Sequence, residues 1–142
     1  TPNMVLAYRG HYMLSENEKI LPYAQWMQWS EKNFIPDAKF SLLPTGTSGV
    51  YYPINSLNGL RESKEKFLEI CPNADDFWLK YLTVINNFKA RRISNKNIHF
   101  ILMSRGETLF DINVAEGQND IQFKKILQFD HFFKGKIISD IV

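Results

Sequence analysis

Short apolar runs separated by polar turns predict several buried strands. Residues 5–8 and 40–43 are apolar or nearly so, and each run is followed by a loop that contains glycine. Residues 89–93 and 98–103 are further candidates for extended structure. Pro53 stops any central strand in its neighbourhood, because proline has no N–H to donate to an adjacent strand.

Apolar residues at helical spacing predict helices between these strands. The clearest case is 74–88, where one face of the predicted helix is apolar. Residues 23–34 lie between two prolines, and 64–70 form a shorter candidate. The turn at 117–120 can cap a last helix, and 136–142 is either a final strand or an irregular tail.

Length and composition narrow the class of protein. A chain of 142 residues fits one compact domain, so residues 1–142 are interpreted as a single mixed α/β unit. The net charge of +2 is too small to indicate a nucleic-acid partner. Cys71 is the only cysteine, which excludes an internal disulfide and favours a reducing compartment. No run approaches the roughly 18 apolar residues of a membrane-spanning helix. We therefore expect a cytoplasmic protein.

Two adjacent acids, Asp75 and Asp76, open the helix predicted at 74–88, and Asn73 is a candidate for its N-cap. A structural explanation is available, because acids at a helix N-terminus stabilise the helix by about 0.3–1 kcal/mol each. The functional explanation is that one carboxylate faces a cleft and takes a proton from a sugar hydroxyl, as a general base does. The local pattern is compatible with both.

A glycine turn follows the strand predicted at 40–43. It contains Gly46 and Gly49, and it is not a phosphate-binding P-loop because no Gly-Lys-Ser/Thr follows. By its pattern alone, the turn is an ordinary one that needs a positive φ. Tyr51 and Tyr52 come next, and aromatic faces suit the apolar faces of sugar rings.

The chain resembles a known family over nearly its whole length. The segments that carry the resemblance are AYRGH (7–11), LPY with a following tryptophan (21–26), LPTGTSGVYYP (43–53), ADDFWL (74–79) and ND (119–120). Together they resemble bacterial glycosyltransferases of the GT-A fold, which act in capsule, lipopolysaccharide and other surface-polysaccharide synthesis. The family often has glycine where Ser48 stands. The resemblance implies an α/β fold, the C-terminal part of a GT-A-like domain, with a mixed sheet and flanking helices.

The resemblance also implies roles for particular residues. In inverting GT-A enzymes the second acid of such a pair usually deprotonates the acceptor, which points to Asp76 as catalytic base and to Asp75 as a residue that orients the acceptor. The implied substrate-binding residues are Gly46, Gly49, Tyr51, Tyr52 and Trp78. Trp78 is also a candidate for the core, because tryptophan one turn into an amphipathic helix commonly packs inward.

The partners implied by the resemblance are a nucleotide-sugar donor and a glycan acceptor. Enzymes of this type bind the donor diphosphate through Mn or Mg at an Asp-x-Asp motif, which is absent here and is expected N-terminal to Val5 in a longer protein. Loss of that clamp costs several kcal/mol of stabilisation of the departing charge, so the chain alone is expected to be inactive or nearly so. Peripheral association with the inner membrane and homo-oligomerisation are left open.

Rival functions use overlapping residues. A non-catalytic carbohydrate-binding module would use the rings of Tyr51, Tyr52 and Trp78. A nucleic-acid-binding domain, a weaker alternative, would use the basic cluster Lys89, Arg91, Arg92 and Lys96. That cluster is otherwise a solvated edge, or a surface for a phosphate-bearing acceptor or an anionic membrane.

Histidine and cysteine offer no further chemistry in the sequence. His11, His99 and His131 lack the spacing of metal ligands, so the chain itself is expected to bind no metal, although one of them could complete the metal shell in a longer protein. Cys71 has no evident activating partner nearby in sequence, which favours a buried, inert thiol.

Overall fold

Short strands and helices alternate in a computed structural model that describes residues 3–100 and 117–142. The strands are β1 (Val5–Ala7), β2 (Gly10–Tyr12), β3 (Ser15–Glu16), β4 (Lys19–Ile20), β5 (Leu42–Pro44), β6 (Val50–Tyr51) and β7 (Ala90–Arg92). The helices are α1 (Tyr23–Lys32), α2 (Lys64–Ile70), α3 (Asp75–Ile85), α4 (Gln118–Phe129) and α5 (His131–Asp140). The mixed α/β class predicted from the sequence is confirmed.

The strands form small sheets. In the largest, of order β6-β1-β7, β1 pairs antiparallel with β6 and parallel with β7, so Leu6 lies opposite both Tyr51 and Arg91. Strands β2 and β5 pair antiparallel, with Gly10 opposite Pro44. A side chain at Gly10 would come within 3.0 Å of the carbonyl oxygen of Leu43, so glycine lets these strands approach. Strands β3 and β4 form a hairpin.

The core lies where α1, α3, α4 and α5 meet. Trp26 of α1 packs edge-on against Phe123 of α4, with ring centroids 5.0 Å apart, and Phe77 of α3 lies beside both rings. Phe133 and Ile137 of α5 are fully buried against this cluster. Burial of each such side chain contributes about 1.5–3 kcal/mol, so these contacts hold the four helices together.

Helix α5 replaces the final strand or irregular tail that the sequence suggested for 136–142. Asp130 caps it, since its carboxylate accepts a hydrogen bond from Phe133 N at 3.0 Å. At the other end the carboxylate of Asp140 accepts from Phe40 N at 2.6 Å and from Ser41 N at 2.9 Å, which ties the helix to the segment leading into β5. The expectation of a strand or loose tail was wrong, because capping and the buried pair Phe133 and Ile137 favour a helix.

Helix α3 is shorter than predicted at both ends. Its N-cap is Ala74, so the prediction of Asn73 as cap was wrong. It ends at Ile85, because Asn87 takes the left-handed conformation, with φ of 66°, and the helix cannot continue through it. No strand includes residues 98–100, and the rest of the extended segment predicted at 98–103 lies outside the described residues.

The sequence predicted no membrane-spanning helix. Over residues 3–100 and 117–142, none of the helices combines the length and the apolar character that crossing a membrane requires.

Candidate functional site

Segments far apart in the sequence meet around a pocket of about 190 Å³. Its walls come from the β1–β2 turn, the start of α1, the turn after β5, and the starts of α3 and α4. The pocket is lined by Arg9, Tyr23, Leu43, Thr45, Thr47, Asn119 and the segment 73–77. Both members of the predicted acidic pair are therefore in its wall.

Asp76 lies in the first turn of α3 and is held by the glycine turn rather than by its own helix. Its Oδ1 accepts a hydrogen bond from Gly46 N at 3.0 Å. A Cβ at position 46 would lie 3.2 Å from that oxygen, which is tighter than an ordinary contact, so glycine permits the close approach. Gly49 has a different reason to be glycine, because its φ of +100° is one that other residues rarely adopt.

The carboxyl of Asp76 has an altered acidity. Burial raises its pKa from 3.8 to about 6, and the negative charge of Asp75 adds to the rise, while the Gly46 hydrogen bond and the Arg9 charge act against it. Asp75 is exposed, and its Oδ1 accepts from Asp76 N at 3.0 Å. A carboxylate with a pKa near 6 is ionised at neutral pH and is a better proton acceptor than an ordinary aspartate.

Two tyrosines lie in the field of this carboxylate. Burial, followed by the charge of Asp76, raises the pKa of Tyr23 and that of Tyr52 above the usual range. Tyr23 also feels the charge of Arg9, and its backbone N–H donates to the carboxylate of Asp120 at 2.8 Å. Both phenols therefore stay protonated at neutral pH and keep a hydrogen-bond donor.

The structure separates the other predicted substrate-binding residues. Gly46 contacts Asp76 directly, and Tyr52 is near the acidic pair. Tyr51 is 42% exposed in β6 and is not part of the pocket wall. Trp78 is only 2% exposed: its indole N–H donates to Ser63 Oγ at 3.1 Å, and its ring packs on Tyr81. Trp78 is therefore a core residue, as the sequence allowed.

Sequence reasoning assigned no functional role to Arg9, Tyr23, Thr45 and Asn119, which also line the pocket. The signal that could have found them was their position inside the segments that carry the family resemblance. Local pattern could not find them, because each is an ordinary polar residue at the end of a strand or the start of a helix, and only the tertiary fold brings them together.

The predicted basic cluster does not form one solvent-facing patch. Arg92 is fully buried and donates to the carbonyl oxygens of Ser30 at 2.7 Å and Asn33 at 3.1 Å. Lys89 lies over the ring of Phe40, at 5.3 Å from its centroid. The interpretation as a solvated edge was wrong for Arg92, which holds α1 against β7, whereas Lys89, Arg91 and Lys96 are exposed.

The contacts of two histidines and of Cys71 bear on whether they have a chemical role. His11 is buried edge-on to Tyr23, and burial lowers the pKa of its imidazole to about 3, so the ring is neutral. His99 Nε2 lies 3.0 Å from Glu31 Oε1. Burial raises the pKa of the Cys71 thiol to about 12, which keeps it unreactive. Within residues 3–100 and 117–142 no three His, Cys, Asp or Glu side chains are grouped to hold a metal ion.

In comparisons with protein-family models, with curated proteins and with solved structures, nothing matched this chain. Support for a function therefore comes from the geometry of the pocket and from the resemblance of the segments that build it.

Proposed function

We propose that this chain carries the acceptor site of a nucleotide-sugar-dependent glycosyltransferase, with Asp76 as the general base. The observation that carries the proposal is the bond from Gly46 N to Asp76 Oδ1. It holds a carboxylate in the wall of the pocket and leaves Oδ2 without a hydrogen-bond partner among the described residues. A carboxylate that served only to cap its own helix would bond to the N–H groups of that helix.

The chemistry requires one proton acceptor at this position. An acceptor hydroxyl donates its proton to Asp76 as its oxygen attacks the anomeric carbon of the donor sugar. The bond from that carbon to the nucleoside diphosphate breaks, and the diphosphate leaves with the electron pair. Asp75, beside the base, raises the basicity of Asp76 through its charge and orients the acceptor.

The finer assignment is a GT-A domain whose donor-binding half precedes Val5 in a longer protein. Mn or Mg would act there on the diphosphate. The proton transfer to Asp76 is the step assigned to this chain. A location at the cytoplasmic face of the membrane and pairing with a second copy belong to the same proposal.

A transfer assay on the longer protein tests the role of Asp76. Asp76→Asn keeps the acceptor oxygen for Gly46 N–H but removes the base, so the transfer rate should fall by about 10²–10⁴-fold. Asp75→Asn should cost less, since Asp75 does not take the proton. Asp37→Asn, at an exposed acid outside the pocket, is the matched control and should transfer normally. Normal transfer by Asp76→Asn would refute the proposal.

A non-catalytic carbohydrate-binding module is favoured by a separate observation. Tyr8, which follows β1, and Tyr51, in the adjacent strand β6, are 43% and 42% exposed and offer rings to solvent. Such a module would bind glycan through these rings, would lose binding in Tyr51→Ala, and would be indifferent to Asp76→Asn. Glycan binding that follows Tyr51 alone would favour the module over the enzyme.

A further inference from the structure

Within the described residues, Arg9 is a cation without an anionic partner at the candidate site. Its side chain lines the pocket and is half-buried, and its Nε is enclosed without any hydrogen-bond partner in the described residues. The charge of Arg9 reaches Asp76 and Tyr23, yet the guanidinium forms no ion pair with a carboxylate in those residues. A buried donor left unsatisfied costs about 1–3 kcal/mol, so an arrangement of this kind favours a ligand that supplies the acceptor.

Neighbouring polar groups in the same wall also have no partner in the described part of the chain. Thr45 is 5% exposed and its Oγ1 is enclosed without a hydrogen bond in the described part of the chain. Asn119 is 7% exposed and Tyr23 is 8% exposed, and neither side chain forms a hydrogen bond there. The pocket therefore contains a guanidinium, two hydroxyls and an amide that have no hydrogen-bond partner among the described residues.

The backbone adds positive potential at this point. Helices α1, α3 and α4 all begin at the pocket, through Tyr23, Asp76 and Asn119. Each helix N-terminus carries a partial positive charge, and such termini are sites where anions bind. The carboxylate of Asp120 accepts a hydrogen bond from Tyr23 N at the start of α1, and that of Asp75 accepts one from Asp76 N at the start of α3. Arg9 and Thr45 remain for a ligand.

We propose that Arg9 makes the pocket an oxyanion site, so that a substrate bound beside Asp76 carries a carboxylate or phosphate group held by the guanidinium. This inference rests on the proposed function and deepens it by naming the substrate chemistry. Arginine is suited to the role because its planar fork binds carboxylate and phosphate through two parallel hydrogen bonds. Asp76 then faces the acceptor hydroxyl, while Arg9 binds the acidic group.

The oxyanion has two chemical sources. One is an acidic substituent on the acceptor sugar, as in a uronic acid. The other is the diphosphate of the donor, whose negative charge grows as it leaves. Both place phosphate or carboxylate oxygens on Arg9, and separate ligands distinguish them.

The test is a calorimetric or NMR titration of this chain with glucuronate, glucose, inorganic phosphate and uridine diphosphate. Glucuronate and glucose differ only in the carboxylate. For an acidic acceptor, glucuronate should bind about tenfold or more tightly than glucose, and Arg9→Gln should abolish that preference. For the donor diphosphate, uridine diphosphate should bind in an Arg9-dependent way while glucuronate gains nothing over glucose.

Two further variants keep the result interpretable. Arg9→Lys retains the charge but loses the fork, so it should fold and recover only part of the anion affinity. Arg61→Gln removes the same charge from an exposed residue outside the pocket and should change nothing. Unchanged affinity for every anion in Arg9→Gln would overturn the oxyanion site, even if sugars bind and Asp76→Asn stops transfer. If inorganic phosphate binds through Arg9 while no sugar binds and Asp76→Asn transfers normally, the oxyanion site stands and the proposed function fails.

Discussion

Replacing Asp76 with asparagine should stabilise the folded chain at neutral and alkaline pH. The pKa of Asp76 is raised in the folded state from 3.8 to about 6. The protonated form is thus favoured by folding. Its contribution to stability is fully present below pH 3.8 and is lost as the pH rises through about 6. The amide introduced by Asp76→Asn is not ionised, so it loses nothing over that range and keeps an oxygen for Gly46 N–H.

The magnitude follows from the difference between the two pKa values. At about 1.4 kcal/mol for each pKa unit, the ionised carboxylate lowers the free energy of unfolding by up to about 3 kcal/mol at pH 8. Solvent and salt screen the repulsion from the exposed Asp75, so a gain of about 1–2 kcal/mol is expected. Urea unfolding of both proteins between about pH 4.5 and pH 8 measures it. The gain should grow with pH, and Asp37→Asn should show no such growth.

Two results would refute this reasoning. If Asp76→Asn is less stable than the parent chain at pH 8, or if its advantage does not depend on pH, Asp76 is an ordinary helix-stabilising acid. A gain in stability that accompanies a loss of transfer is the pattern of a group kept for function at a cost to the fold.

Two other substitutions test the contacts that position the backbone around the pocket. Gly49→Ala should lower the free energy of unfolding by about 1–2 kcal/mol, because φ at position 49 is +100°. Thermal unfolding measures this loss, and Gly135→Ala, within helix α5, is the control. Equal effects of the two changes would contradict the backbone argument. Asp140→Ala should lower the free energy of unfolding by about 2–4 kcal/mol, because the backbone N–H groups of Phe40 and Ser41 lose their acceptor. Hydrogen exchange at these two amides should become faster. Unchanged exchange there would contradict the prediction.

Features that depend on local spacing could be predicted from the sequence. Helix α2 has the predicted limits, and the acidic pair lies in the first turn of α3, because apolar periodicity and the preference of acids for helix starts are short-range effects. The turn at Gly46 was also predicted, but its contact with Asp76 joins residues 30 positions apart. Spacing along the chain says nothing about such a contact.

The composition of the pocket could not be predicted from the residues alone for the same reason. Tyr23 N reaches the carboxylate of Asp120 across 97 positions, and this bond brings the starts of α1 and α4 together. Arg9 enters the wall because the turn after β1 folds back beside β5, where Thr45 N donates to the Arg9 carbonyl oxygen at 3.1 Å. Trp78 was ambiguous by pattern, and its bond to Ser63 and its packing on Tyr81 place it in the core.

The most direct measurement of the central claim is the pH dependence of kcat/KM for sugar transfer by the longer protein and by its Asp75→Asn variant. If Asp76 is the base, the rate should fall on the acid side with an apparent pKa near 6. The same limb should lie at lower pH in Asp75→Asn, because the neighbouring negative charge that raises the pKa of Asp76 has been removed. An acid limb at the same pH in both proteins, or no limb near 6, would contradict the assignment of Asp76 as the base.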